Sequence, residues 1–180
     1  MTTTANARVA GSAHIRIDMQ QNYFELFHLP VSFDVDTDDL ANRHRAIIAR
    51  VHPDQFANKS AMEQRVALQW ATFANEAFDT LKLPITRAQY LLKLNAPKLA
   101  VEGARVNLPH EFLMQQMMWR EAMEEGAGES VREEVEQLRA ETMVQLANEC
   151  AGQNWDTVAE TLAKCQFIEN FMGQLPSQSN

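Results

Sequence analysis

The sequence predicts an all-α chain in two modules, and three observations carry that prediction. Apolar residues recur at helical spacing through most segments, and no run alternates polar and apolar as a half-buried strand requires. Proline and glycine fall between these segments, at Pro53, Pro84, Gly126, Gly128 and Gly152. Charge is also divided: residues 1 to 97 hold ten Lys/Arg against ten Asp/Glu, whereas residues 98 to 180 hold six against fourteen and so carry the whole net charge of −8. At 180 residues and 46% hydrophobic content the chain can bury a core. Its acidity argues against nucleic acid as a partner, since backbone binding needs a basic footprint.

Residues 1 to 20 are Thr/Ala-rich with Arg8 and Arg16, and are expected to form a flexible tail. A faint likeness to a transit peptide lacks the amphipathic pattern, and no apolar stretch is long enough for a membrane span. A first short helix fits Gln21 to Phe27, with Phe24 and Phe27 on one side, ending before Pro30. Asp36 or Thr37 can cap the next, where Leu40, His44, Ile47, Ile48 and Val51 form one stripe, with Arg43 and Arg50 on one flank and Arg45 on the other. Pro53 biases His52 out of the helical region and ends this helix. Ser60 and Glu63 form a capping box for a longer helix, whose face Val66, Trp70, Phe73, Ala77 and Leu81 is expected to pack on the one before. Another helix follows Pro84, from Ile85 to Leu94, completing a module over residues 21 to 95. Residues 96 to 108 show no period and are expected to be a linker. Helices over Pro109 to Glu125, Glu129 to Cys150 and Asp156 to Gly173 have connections short enough to force an antiparallel three-helix bundle, residues 109 to 175, before a frayed end at 176 to 180. Cys150 and Cys165 both fall in helical patterns, so neither a disulfide scaffold nor a zinc site is expected.

Val51-His52-Pro53-Asp54-Gln55-Phe56 sits at the tip of the hairpin made by the two N-terminal helices. His52 and Asp54 resemble an acid-base dyad, but a protruding loop supplies neither a pocket nor an oxyanion stabiliser, and no nucleophile is near. A metal would need His44, His52 and Asp54 to converge, and His44 belongs to the apolar stripe two turns away. A docking plug suits the residues better, because proline stiffens the loop and lowers the ordering entropy lost on contact.

The hairpin, its arginines and the preceding Tyr23-Phe24-Glu25-Leu26-Phe27-His28-Leu29-Pro30 resemble a J domain, in particular that of the HscB family of iron–sulfur-cluster co-chaperones. Leu83-Pro84-Ile85-Thr86-Arg87-Ala88-Gln89-Tyr90-Leu91-Leu92-Lys93-Leu94 is similar to the segment that follows the J domain there, and is far more distinctive than His-Pro-Asp. Glu111-Phe112-Leu113-Met114-Gln115-Gln116-Met117, with Arg120-Glu121, resembles the start of that family's C-terminal bundle. The resemblance implies a J domain that docks on a DnaK-type chaperone, HscA, and stimulates its ATPase. His52, Pro53 and Asp54 would form the stimulating loop, and Arg43, Arg45 and Arg50 would meet an acidic surface. Gln55 stands where many J domains have lysine.

Around the helix that begins near Pro109, apolar residues project in nearly every direction, more than one bundle face can cover. Phe112, Trp119 and Met123 suit a core, while Leu113, Met117, Glu121 and Glu125 follow one another at i+4 as a stripe apolar first and acidic afterwards. The resemblance implies that this stripe, with Phe167, holds the scaffold protein IscU, and Met118 stands where an acidic residue is expected. No cofactor and no metal are implied for the chain itself, which lacks the paired N-terminal cysteines of zinc-binding family members. The expectation is a bacterial cytoplasmic co-chaperone without enzymatic activity, with the mitochondrial matrix as the second-ranked location. The alternatives are a helical adaptor with no chaperone and, more remotely, an enzyme dependent on His52.

Overall fold

The computed structural model describes residues 21–102 and 109–175, so the expected tails and residues 103–108 of the expected linker lie outside the described residues. Eight α-helices and one 3-10 turn make up the described chain. The short α1 (Tyr23–Leu26) is closed by a capping box between Asn22 and Glu25. In α2 (Thr37–Val51), Asp36 is the cap: its carboxylate accepts from the N–H groups of Asp38 and Asp39. Acids at positions 38 and 39 also complement the positive end of the helix dipole. A 3-10 turn (Pro53–Phe56) leads to α3 (Ala61–Lys82), opened by the Ser60/Glu63 capping box.

The two long helices run antiparallel, and Phe24 of α1 and Phe27 just after it pack against Leu40, Val51, Trp70, Ala74, Ala77 and Leu81. The buried stripe of α3 differs from the expected one. Trp70, Ala77 and Leu81 are inside, but Ala67 and Ala74 take the places expected for Val66, which is 43% exposed, and Phe73, which is half-buried. Alanines at these positions let α3 approach its neighbours closely, and an apolar count that favours large side chains misses them. Phe73 instead meets the Tyr23 ring edge-on at 5.5 Å.

Pro84 is the first residue of α4 (Pro84–Asn95). The stretch after it, expected to be aperiodic linker, contains a helix, α5 (Pro97–Glu102). Proline at a first helical position is pre-organised for the turn, and Leu99 and Ala100 pack on the second core, so tertiary contact supplies what periodicity in so short a segment cannot. The remaining helices are α6 (His110–Glu124), α7 (Gly128–Ala151) and α8 (Trp155–Met172). Trp119, Val131, Val135, Ile168 and Phe171 form their shared interior.

The halves are joined by more than a connecting segment. Ala88 and Leu92 of α4 lie in one buried cluster with Leu146 and Cys150 of α7 and Val158, Leu162 and Cys165 of α8. Trp155 and Phe33 border both this cluster and the hairpin core. Both cysteines are free and buried, and burial, with Glu149 near Cys150 and Glu169 near Cys165, raises each thiol to about 11.

Candidate protein-interaction sites

His52 leaves the helical region with ψ 134°, as the following proline demands, and so ends α2. Its Nδ1 accepts a hydrogen bond from the Asp54 backbone N–H at 3.3 Å, and the Asp54 carboxylate lies 3.5 Å from the same nitrogen. One nitrogen cannot accept from the amide and donate to the carboxylate at once. A neutral ring therefore caps the 3-10 turn, whereas a ring protonated at Nδ1 pairs with Asp54 instead. The Asp54 side chain is 90% exposed. Behind it, Gln64 reaches back from α3 to donate to the carbonyls of Ala57 and Lys59, tying the loop to the hairpin.

The three arginines of α2 are placed differently from one another. Arg50 is exposed and has no side-chain partner among the described residues. Arg45 is exposed and donates to the Asn42 side chain and the Ala41 carbonyl. Arg43 is turned inward: it donates to the carbonyls of Phe27 and His28, each at 2.9 Å, and pairs with Asp39 at 2.9 Å. His28 adopts a left-handed φ of 52°, and its carbonyl is one of those the Arg43 fork clamps. Arg43 is thus a strut between α2 and the segment that follows α1. His44 stacks on Phe78 at 4.4 Å and hydrogen-bonds Asn75, and among the described residues it does not converge with His52 and Asp54.

On α6 the division is clear. Trp119 is buried and Phe112 and Met123 are half-buried, while Leu113, Met114, Met117 and Met118 stand exposed, Met117 at 64%. At 100° per residue these four share one side, which the exposed Glu121, Glu124 and Glu125 continue toward the C-terminal end. Met118, where an acid is expected, enlarges the apolar part. Phe167 is not in the open stripe: it lies half-buried beside α6, edge-on to Phe112 at 5.5 Å and stacked on Phe171.

The geometry can be set beside known proteins. The chain is 35% identical to the "Co-chaperone protein HscB homolog" of Burkholderia thailandensis, over 90% of this chain and 96% of that one. Its counterpart from Azoarcus sp. is 37% identical, over 88% and 94%. The chain belongs to the HscB co-chaperone family. Residues 108–175 match the family model described as the HSCB C-terminal oligomerisation domain. Among solved structures, the chaperone HscB from Vibrio cholerae superposes with a TM-score of 0.74 at 34% identity, covering 86% of this chain and 95% of that one. Human co-chaperone protein HscB has the same fold, with a TM-score of 0.78 at 23% identity over 94% and 92% of the two chains.

The structure also gives a task to a residue that sequence reasoning missed. Arg87, 5% exposed, donates to the carbonyls of Leu81 and Phe33, each at 2.6 Å, and Lys82 at 3.2 Å. Burial lowers its pKa, with Asp34 acting in the opposite sense. Thr86 caps the same helix end through the carbonyls of Thr80 and Leu83. Tyr90 accepts the Tyr23 N–H and stacks on its ring at 4.3 Å, while Ala88 and Leu92 face the bundle. The distinctive segment 83–94 is therefore the junction that orients hairpin and bundle. The available signal was an arginine with no acid within helical reach in an otherwise apolar segment, the pattern of a guanidinium that serves carbonyls.

Proposed function

We propose that this co-chaperone activates ATP hydrolysis by a DnaK-type chaperone of the HscA kind and brings to it an iron–sulfur scaffold protein of the IscU kind. In this reading it is an activator with no turnover of its own. The single observation that carries it is a pair of unlike exposed surfaces on one packed frame: a stiff polar tip at His52-Pro53-Asp54 and an uncovered apolar-then-acidic side of α6.

At the tip, Asp54 offers a fully solvated carboxylate and His52 an imidazole held by the turn, while Arg45 and Arg50 supply positive charge along α2. Arg43 adds charge from a fixed position and holds the helix to the segment that follows α1. Exposed ion pairs are each worth only about 0.2–1 kcal/mol, so the arginines steer a transient encounter whose rate falls as salt rises. Activation then requires that the tip bind the hydrolysis-competent arrangement of the chaperone better than the resting one. At the other surface, Leu113, Met117 and the neighbouring methionines provide adaptable apolar contact, Glu121 and Glu125 provide polar register, and Phe167 supports the side from below. A bacterial cytoplasmic setting fits the bacterial relatives, and no described helix is long and apolar enough to cross a membrane.

The test is a single-turnover ATPase assay of the partner chaperone with and without this chain and the scaffold. Acceleration by the chain, enhanced when scaffold is present, is expected. Scaffold binding without acceleration would establish instead a helical adaptor, the reading favoured by the large exposed surface of α6 taken alone.

A further inference from the structure

A second feature of the bundle lies on the other side of α6 from its exposed methionines. A groove of about 620 Å3, within the range of about 300–1,000 Å3 typical of ligand clefts, runs between the N-terminal half of α6 and α7. Its inner walls are Phe112, Trp119 and Leu138, buried or half-buried. Its exposed margins carry Glu111, Glu134 and Glu141, against one lining cation, Lys164. Trp119 is 2% exposed, and its indole Nε1–H, buried as well, meets no acceptor among the described residues. A buried donor of this kind costs about 1–3 kcal/mol while it stays unmatched, so the site is incomplete as it stands.

We propose that this groove binds a short, extended, basic segment of a partner protein, separately from the methionine side of α6. The chemistry selects the occupant. Three carboxylates beside one amine attract cations and repel nucleic acid and other anions. A polyamine would satisfy the carboxylates but carries no acceptor for the indole. A peptide with lysine or arginine brings both: cationic side chains for Glu111, Glu134 and Glu141, and a backbone carbonyl for Trp119 Nε1–H. An apolar side chain between the cations covers Phe112 and Leu138. Gln115 Nε2 now donates to Glu134 across the groove at 2.9 Å. A cation arriving at Glu134 competes with that amide for the carboxylate.

The test is a 1H–15N spectrum of the full chain titrated with a capped synthetic peptide in which lysine and arginine alternate with leucine. Loss of one indole signal in a Trp119→Phe variant identifies the Trp119 resonance. A saturable downfield movement of that signal, with the Trp70 and Trp155 indoles unmoved, is the expected result. Glu134→Lys with Glu141→Lys should weaken the peptide about tenfold, the change expected when two exposed attractions become repulsions. Circular dichroism confirms that this variant is folded. The proposal is overturned if the indole signal stays still, if the doubly reversed variant binds equally well, or if the Met117 and Met118 backbone amide signals move in its place. It is also overturned if the signal shifts with protein concentration alone, which would make a second copy of this chain the occupant.

Discussion

The hairpin and the bundle expose opposite parts of their helices. The hairpin presents an end, a polar turn between α2 and α3, and the helix starts on its N-terminal side are fastened by their own sequence: Asn22, Asp36 and Ser60 each cap through a side chain. The bundle presents a side, the methionines of α6, and its three helices begin without a side-chain cap. A surface at a helix end requires fixed ends, and short-range chemistry provides them. A surface on a helix side requires apolar area left uncovered, so that helix is held by what remains of its inner face, Phe112 and Trp119 above all. Order in the hairpin is encoded locally, whereas order in the bundle depends on packing, including that against α4.

The largest expected break in this contrast is at the tip. Asp54→Asn keeps the shape and the amide-to-imidazole hydrogen bond but removes the charge, and it should abolish chaperone ATPase stimulation while leaving helicity and scaffold affinity unchanged. Residual stimulation near the wild-type level in a steady-state assay would refute the plug. Next is the junction. Arg87→Ala leaves one buried and two part-buried carbonyls without their donor and should cost about 3 kcal/mol in urea unfolding, with hairpin and bundle melting together. Two separate transitions in the wild type would show that the shared cluster around Leu92 and Leu162 does not couple them.

Much of this arrangement is legible in the sequence, for reasons that differ by element. The starts of α2 and α3 can be read because Asp36 and the Ser60/Glu63 pair act within a few residues of themselves. The inner face of α3 is only half legible, since Ala67 and Ala74 are inside through the closeness of their neighbours, a tertiary fact. Helix α5 is hidden by shortness, and its order comes from packing on α4 and α8. At the tip, the exposure of His52 and Asp54 follows from hairpin geometry, while the inward turn of Arg43 does not, because its acceptors, Phe27 and His28, lie fifteen and more residues away in the chain. Arg87 is the clearest case: an unpaired arginine in an apolar segment shows that something buried requires it, but only the fold identifies the carbonyls.

On the bundle side, Leu113→Ala with Met117→Ala removes exposed apolar surface. Scaffold affinity should fall by about 2 kcal/mol, roughly thirtyfold, in calorimetry. Stability should change by less than about 0.5 kcal/mol, the usual range for surface positions. If the bundle loosens instead, these side chains belong to its interior and the distinction between the two sides of α6 fails.

The smallest expected effect tests the claim of local encoding directly. Ser60 Oγ accepts the Glu63 N–H at 3.3 Å, and the Glu63 carboxylate accepts from the Ser60 N–H at 2.9 Å and from its hydroxyl at 2.7 Å. Those hydrogen bonds, the hydroxyl's first, hold the Glu63 pKa below its ordinary value. Loss of the Ser60 cap in Ser60→Ala should cost about 1 kcal/mol at neutral pH, the usual loss for an N-cap. The sign of the pH effect follows from the lowered pKa. The Glu63 contribution is fully present above the ordinary value of 4.5 and fades as acid protonates the carboxylate below it, so the variant should lose less stability on acidification than the wild type. Parallel acid titrations of the two unfolding midpoints would instead assign the order of α3 to packing, and the hairpin would then be encoded in the same way as the bundle.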